Sequence, residues 1–208
     1  MLIIEIFERF IALLLLVIFL PLLAVIAIAI RVDSPGNPIF RQVRVGKGGR
    51  RFTIFKFRTM YKGNDNSKYR ALVREYVRGN FSPSLNENEQ VIREIIHKNV
   101  TRVGFLLRRF SLDELPQLFN VFKGDMTFVG PRPDIPFAVD MYEDHHRGRL
   151  DVKPGITGLW QVSGRRSLSF EDMVKLDIDY MNRRSPLLYA KILLLTVREV
   201  LGRGTAEI

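Results

Sequence analysis

The sequence predicts a mostly helical α+β protein whose N-terminal helix inserts into a membrane. Residues 10–30 contain no charged side chain, and about 20 apolar residues in a helix match the roughly 30 Å hydrocarbon core of a bilayer. Two strand-like runs, residues 39–45 and 52–58, flank Gly46-Lys-Gly-Gly, which favours a β-hairpin. Several later segments have apolar residues at helical spacing.

The apolar segment is interrupted by Pro21, which removes an amide donor and should break or bend the helix there. Two arrangements follow: a kinked span, which is the more common case, and a re-entrant hairpin whose halves each cross one leaflet. A signal peptide is a third alternative, but the run is long for one and Glu5 and Glu8 precede it. Both membrane arrangements place Arg31 and the basic remainder on the cytoplasmic face.

Length and charge limit the organisation and the partners. The 208 residues accommodate an anchor over residues 1–32 and one globular domain over residues 33–208. A net charge of +10 predicts an anionic partner. Next to an anchor, that partner is expected to be anionic membrane lipid or a phosphorylated small molecule and not nucleic acid. Cysteine is absent, so disulfides and thiolate metal sites are excluded.

The globular part is predicted to be helical after the hairpin. We expect helices over residues 67–78, 89–98, 100–110 and 170–182, with a polar surface loop over residues 80–88. Residues 185–202 are strongly apolar but interrupted by Lys191 and Arg198. They read as an interfacial or core helix, because these charges would not be tolerated in a span.

Several cations are candidate phosphate or nucleotide ligands. Lys56 and Arg58 share one face of the second predicted strand, where they could face a substrate or form a solvated edge. Arg108 and Arg109 lie at the margin of an apolar helix face, a place where arginines more often lie at a surface than bind substrate. Arg132 stands between two prolines, which suits bidentate phosphate contact or a plain exposed turn.

Two adjacent carboxylates, Asp113 and Glu114, follow Arg108 and Arg109 in the chain. Ser111 to Glu114 match a capping box, a purely structural role. If a helix begins instead at Pro116, both acids lie just ahead of its positive end. A carboxylate can attack phosphorus when Mg²⁺ and cations neutralise the phosphate oxygens. The pair therefore suits catalysis and metal binding, and the structural alternative stays open.

Taken together, the motifs resemble the monotopic polyprenol-phosphate phosphoglycosyl transferases, the bacterial sugar transferase family. The similarity rests on motifs spread through nearly the whole chain: Ser34-Pro-Gly, Phe40-Arg-Gln-Val-Arg-Val-Gly, Phe55-Lys-Phe-Arg-Thr-Met, Ser111-Leu-Asp-Glu-Leu-Pro-Gln-Leu-Phe-Asn, Lys123-Gly-Asp-Met, Gly130-Pro-Arg-Pro and Pro154-Gly-Ile-Thr-Gly. Chance coincidence of several motifs of this length is negligible.

The resemblance implies transfer of a sugar 1-phosphate from a UDP-sugar to undecaprenyl phosphate, with release of UMP, at the start of glycoconjugate or exopolysaccharide synthesis. Asp113 would be the nucleophile of a ping-pong reaction, and Glu114 would act at the Mg²⁺ site or in proton handling. Lys56, Arg108 and Arg132 would contact phosphate and nucleotide. The enzyme would lie at the bacterial inner membrane with its catalytic domain in the cytoplasm.

The same resemblance favours a re-entrant anchor and, through Gly158-Leu-Trp-Gln-Val-Ser-Gly-Arg, the branch that uses UDP-galactose or UDP-glucose. The chain departs from the family pattern in two places: Leu20 replaces the serine before Pro21, and Tyr189 stands where relatives commonly carry aspartate. Two other functions remain as alternatives, a noncatalytic basic module that binds membrane surfaces and a nucleotide-sugar hydrolase. The sequence leaves the oligomeric state open and permits a homodimer.

Overall fold

A computed structural model of the chain describes residues 2–61, 67–81, 99–164 and 168–202. The helices are α1 (Leu2–Asp33), α2 (Ser67–Val77), α3 (Arg102–Arg109), α4 (Leu118–Lys123), α5 (Pro136–Val139), α6 (Asp144–Arg147), α7 (Leu159–Ser163), α8 (Phe170–Asn182) and α9 (Pro186–Gly202). The strands are β1 (Ile39–Val45), β2 (Arg51–Phe57), β3 (Thr127–Val129) and β4 (Gly155–Thr157). The predicted mostly helical α+β class is confirmed.

Both predicted strands form the hairpin, in which β1 and β2 pair antiparallel from Ile39 opposite Phe57 to Val45 opposite Arg51. A second small sheet, which the sequence did not predict, pairs β3 parallel to β4. Its strand β4 lies within Pro154-Gly-Ile-Thr-Gly, for which the sequence analysis predicted no strand. At three residues, each of its strands is too short to show an alternating pattern.

The helices predicted over residues 67–78, 100–110 and 170–182 are confirmed within one or two residues as α2, α3 and α8. The predicted C-terminal helix is α9; it buries Ile192 and leaves Leu187, Leu194 and Leu201 more than 70% exposed. The helix predicted over residues 89–98, with most of the loop before it, lies outside the described residues.

The apolar helix α1 continues through Pro21, so the proline does not end it, and a bend there stays a prediction. Among the described residues it is the one helix long and apolar enough to cross a membrane. One face of α1 is exposed and apolar along its length, with Val17, Leu20 and Val25 each more than 60% exposed. The opposite face packs against the globular domain.

The N-terminal end of α1 is tied to the domain by two acids. Glu8 is buried, and its Oε1 accepts a hydrogen bond from the amide of Phe128 at 2.9 Å and another from the Tyr189 hydroxyl. Glu5 pairs with Lys153 at 2.6 Å. Tyr189 therefore links α9 to α1 through its hydroxyl.

The C-terminal end of α1 is tied to the same domain. Ile30 is buried with Phe57 of β2 and Leu107 of α3. Arg58 donates to the Ser34 carbonyl at 2.7 Å and to the Ser34 hydroxyl at 2.9 Å. The two ends of one long helix thus contact one globular domain.

Candidate active site

The two carboxylates lie in a tight turn that neither predicted arrangement describes. Ser111 adopts a left-handed conformation with φ 54°, and a 3₁₀ helix then runs from Leu112 to Gln117. The Ser111 side chain makes no capping hydrogen bond there, so the predicted capping box is wrong. A helix start at Pro116 is also wrong, because this proline lies inside the 3₁₀ turn and α4 begins at Leu118.

Glu114 is held by two cations at one oxygen atom. Its Oε1 accepts from Lys56 Nζ and from Arg132 Nη2, each at 2.8 Å. The side chains of Glu114 and Lys56 are 18% and 15% exposed, so solvent screens the contact only weakly. Lys56 comes from β2 and Arg132 from the loop after β3, and Glu114 therefore joins two distant segments to the turn that carries the carboxylate pair.

The electrostatics of the two acids differ. Burial would raise the pKa of Glu114, but the charges and hydrogen bonds of Arg132 and Lys56 outweigh it and hold that pKa well below its usual range. Burial, and next the charge of Glu114, raise the pKa of Asp113 above its ordinary value despite opposing cations. Glu114 is consequently held as an anion, whereas the pKa of Asp113 is shifted in the opposite direction.

The oxygens of Asp113 accept no hydrogen bond from any residue in the described ranges. Within the same ranges, the second oxygen of Glu114, Oε2, likewise has no donor. Two adjacent carboxylates with uncommitted oxygens are the ligand type that Mg²⁺ prefers. The residues present would therefore fit a magnesium ion.

The predicted phosphate ligands divide into two groups. Lys56, Arg108 and Arg132 each act on Asp113 through their charge, so these three lie around the carboxylate pair. Arg108 also donates from Nε to the Thr59 hydroxyl at 2.9 Å. Helix α3 lies close enough to Thr59 for this contact because it has a glycine at position 104. A methyl group on Gly104 would overlap the Thr59 carbonyl.

Arg58 and Arg109 have other surroundings. The guanidinium of Arg58 is buried against the carbonyls that follow α1, including Pro35 at 2.8 Å, so its contacts are structural. They do not support a role for Arg58 in phosphate binding. The guanidinium carbon of Arg109 lies 5.7 Å from the ring centroid of its neighbour Phe110.

One important residue of the site was missed from the sequence. Asn120 is fully buried in α4; its Nδ2 donates to the Thr53 carbonyl at 2.7 Å and its Oδ1 accepts from the Phe55 amide at 3.1 Å. The amide thus fixes α4 to the backbone of β2 just before Lys56. A buried asparagine inside an apolar helix is the signal that could have identified it.

The histidine pair, which the sequence argument left out of the mechanism, lies elsewhere. His146 Nδ1 accepts from the Glu143 amide at 3.0 Å, and its Nε2 lies 2.6 Å from Glu171. His145 also contacts Glu171, at 3.2 Å. Since Nδ1 of His146 is an acceptor, Nε2 carries the proton in the neutral ring and cannot also bind a metal. The group caps α6.

Comparison with known proteins decides the family. The model of the family described as bacterial sugar transferase matches residues 1–203 of the chain. The chain belongs to the bacterial sugar transferase family. The resemblance drawn from the motifs is thereby confirmed. As a bacterial sugar transferase the chain is an enzyme, which disfavours the noncatalytic membrane module.

Several curated relatives are similar over most of this bacterial sugar transferase. Galactosyl transferase CpsE of Streptococcus agalactiae serotype III (strain NEM316) is 41% identical over 177 residues, which are 84% of this chain and 37% of that protein. The UDP-glucose:undecaprenyl-phosphate glucose-1-phosphate transferase of Caulobacter vibrioides is 39% identical over 203 residues, 94% of this chain and 68% of that protein. The uncharacterized sugar transferase EpsL of Bacillus subtilis is 41% identical over 167 residues, which are 80% of this chain and 71% of that protein. The chain therefore spans only part of each relative.

Proposed function

We propose that this chain transfers a sugar 1-phosphate from a UDP-sugar to undecaprenyl phosphate through a covalent intermediate on Asp113. The observation that carries the proposal is the division of roles within the carboxylate pair. Glu114 is pinned by Lys56 and Arg132, whereas Asp113 keeps its oxygens uncommitted among three cations. That arrangement suits attack of one carboxylate on a diphosphate.

In the first step an Asp113 oxygen attacks the phosphorus that bears the sugar. An oxygen to phosphorus bond forms, the bond to the bridging oxygen breaks, and UMP leaves with that oxygen. Lys56, Arg108 and Arg132 neutralise the charge that accumulates on the phosphate oxygens. Without such cations two anions, a carboxylate and a diphosphate, would repel each other.

In the second step a phosphate oxygen of undecaprenyl phosphate attacks the same phosphorus. The aspartyl bond breaks, the Asp113 carboxylate is restored, and the product is undecaprenyl diphosphate-sugar. No water enters either step, so atoms and charge balance between the two substrates. A hydrolase would differ only in the second attacking group, so exclusion of water from the intermediate separates the two functions.

Asp113 and Glu114 would hold the Mg²⁺ ion, which when bound supplies positive charge to the nonbridging phosphate oxygens. The lowered pKa of Glu114 supports this role over proton handling, because a carboxylate that stays ionised is a weak base. Glu114 therefore contributes a fixed negative charge, and its contacts with Lys56 and Arg132 orient that charge.

The sugar is proposed to be a hexose without an N-acetyl group, galactose or glucose. The motif from Gly158 to Arg165 favours this branch, and the names of two relatives specify galactosyl and glucose-1-phosphate transfer. Glucose is also named for the relative from Xanthomonas campestris, which is 39% identical over 194 residues. These names support UDP-glucose and UDP-galactose as the first donors to test.

We further propose that α1 enters the membrane from the cytoplasmic face and, with a bend at Pro21, returns to it. A helix of 32 residues is about 48 Å long. Glu8 near one end and Ile30 near the other both pack against the same globular domain. A helix that crossed the bilayer would hold its ends on opposite sides, so these contacts support insertion from one face.

The test of the function is a panel of UDP-sugars, with and without undecaprenyl phosphate, using purified protein in lipid nanodiscs. The proposal expects UMP release at full rate only when both UDP-hexose and the lipid are present. Product identity is checked by extraction of a lipid-linked sugar. UMP release at the same rate without the lipid would favour hydrolysis and contradict the proposal.

A further inference from the structure

A buried cluster of charged residues lies behind the loop that carries Arg132. At its centre Arg149, only 2% exposed, donates to Asp134 at 2.8 Å, to Asp177 at 2.6 Å and to the Tyr142 hydroxyl at 2.9 Å. Its Nη2 also donates to the backbone carbonyl of Arg132 at 3.2 Å. Arg149 cannot touch a substrate from this position.

The loop over residues 130–134 is held at four consecutive carbonyls. The Pro131 carbonyl accepts from the Gly155 amide at 2.9 Å, and the Arg132 carbonyl accepts from Arg149. Two further donors bind the next two carbonyls: the Pro133 carbonyl accepts from Arg44 Nη1 at 3.2 Å, and the Asp134 carbonyl accepts from the Val45 amide at 2.9 Å. Because each of these four carbonyls has a donor, the backbone at Arg132 is fixed in one conformation.

A buried ionic cluster is a poor source of stability, because the cost of removing charges from water offsets their attraction. Asp177 is fully buried, and that burial raises its pKa to about 6 in spite of Arg149. The geometric effect of the cluster is more specific. Through Arg149, the cluster joins Asp177 of α8 to two groups of the loop, the Arg132 carbonyl and the Asp134 side chain. These two groups lie on either side of Pro133.

We propose that Arg149 is a positioning residue that holds Arg132 where its guanidinium meets Glu114 and the phosphate groups of the donor. The proposal rests on the phosphoglycosyl transfer proposed above. Arg149 acts through the Arg132 backbone and through Asp134, which Tyr142 also contacts. The Arg132 guanidinium can bind phosphate effectively only if its position is fixed, and small displacements of such a group lower reaction rates steeply.

The test is a double-mutant cycle between Arg149→Gln and Arg132→Ala, with kcat/KM for UMP release from the preferred UDP-hexose in the presence of undecaprenyl phosphate. Residues coupled in one network act non-additively. We expect Arg149→Gln to lower kcat/KM about 10- to 50-fold in the otherwise native chain, and by less than about threefold when Arg132 is already alanine. An equal fall in both backgrounds means a general structural role and overturns the proposal.

Arg147→Gln is the matched control, since Arg147 is an exposed arginine two residues away and should leave kcat/KM unchanged. Arg149→Lys keeps the charge and should recover part of the lost activity. If Arg149→Gln does not fold, the cycle is run with Tyr142→Phe, which removes the hydroxyl that contacts Arg149. The same non-additive pattern with Arg132→Ala is expected, and additive effects would refute the positioning role of Arg149.

Hydrogen exchange provides a readout that needs no substrate. Arg149→Gln should speed exchange in a peptide covering residues 129–135, whereas Arg147→Gln should not, because only the first variant releases a loop carbonyl. Unchanged exchange in that peptide would contradict the proposal. A native protein that turns over no UDP-sugar would refute the proposed function, and the exchange result would still decide whether Arg149 fixes the loop.

Discussion

Lys56 offers the sharpest test of the site, because its removal changes both the rate and the pH dependence. In Lys56→Met a neutral side chain of similar length replaces a cation whose Nζ lies 2.8 Å from Glu114 Oε1. Both side chains are less than one fifth exposed, so water can replace the lost charge only partly. Removal of one donor from a preorganised anion site costs about 10²–10³ in kcat, and we expect Lys56→Met to fall within that range.

The pH profile provides the second readout for the same variant. The charge of Lys56 lowers the pKa of Asp113, against burial and Glu114, which raise it. Loss of that charge should therefore raise the pKa of Asp113 further. Since the nucleophile must be ionised, the acidic limb of kcat/KM should move to higher pH in Lys56→Met.

The assay is initial-rate UMP release at several pH values, with Lys56→Arg and Lys47→Met as controls. Lys56→Arg keeps the charge and should retain most of the activity, and Lys47 is an exposed lysine in the hairpin turn whose replacement should have no effect. The reasoning would be refuted if Lys56→Met kept activity within about threefold of the native chain, well below the loss expected from a preorganised donor, and its acidic limb did not move.

Three further predictions concern other parts of the structure. In the metal-free protein, the pKa of Asp113 should lie above the ordinary aspartate value of 3.8, because burial and then the charge of Glu114 raise it. A pKa at or below 3.8 in an NMR titration of the metal-free protein would contradict this. Glu8→Leu leaves the partly buried Phe128 amide without its acceptor and should cost about 2 kcal/mol, or roughly 4–8 °C in the thermal midpoint. Glu8→Gln keeps Oε1 and should cost little, so equal midpoints for the two variants would show that the contact is unimportant. Asn120→Leu removes two hydrogen bonds to β2 and should lower the thermal midpoint by a similar amount together with kcat, and a loss of neither would show that Asn120 does not hold the hairpin at the site.

The sequence predicted those features that depend on local pattern. The hairpin follows from Gly46 to Gly49 between two apolar runs, since glycine allows the turn that closes them. Helix α8 follows from apolar spacing. The structure adds that the Ser169 side chain caps this helix by accepting from the Asp172 amide. The membership of Lys56 and Arg132 in the site came from motifs, and the geometry now gives both a common partner in Glu114.

Long-range contacts account for what the sequence did not reveal. Arg58 had seemed equivalent to Lys56, because strand alternation places both on one face, yet β2 ends at Phe57 and Arg58 turns to the end of α1. Arg149 gave no signal, since its partner Asp177 lies 28 residues away on another helix. The left-handed Ser111 at the start of the turn that carries the carboxylate pair was also unpredictable, because serine seldom adopts that conformation.

Mass spectrometry of the intact protein after brief exposure to UDP-glucose or UDP-galactose, with Mg²⁺ and without undecaprenyl phosphate, measures the central claim most directly. A hexose-phosphate adduct should appear on Asp113, should be absent from Asp113→Asn, and should disappear with formation of lipid-linked sugar when undecaprenyl phosphate is added. Undiminished synthesis of that lipid product by Asp113→Asn, or an active enzyme that never carries the adduct, would contradict the account.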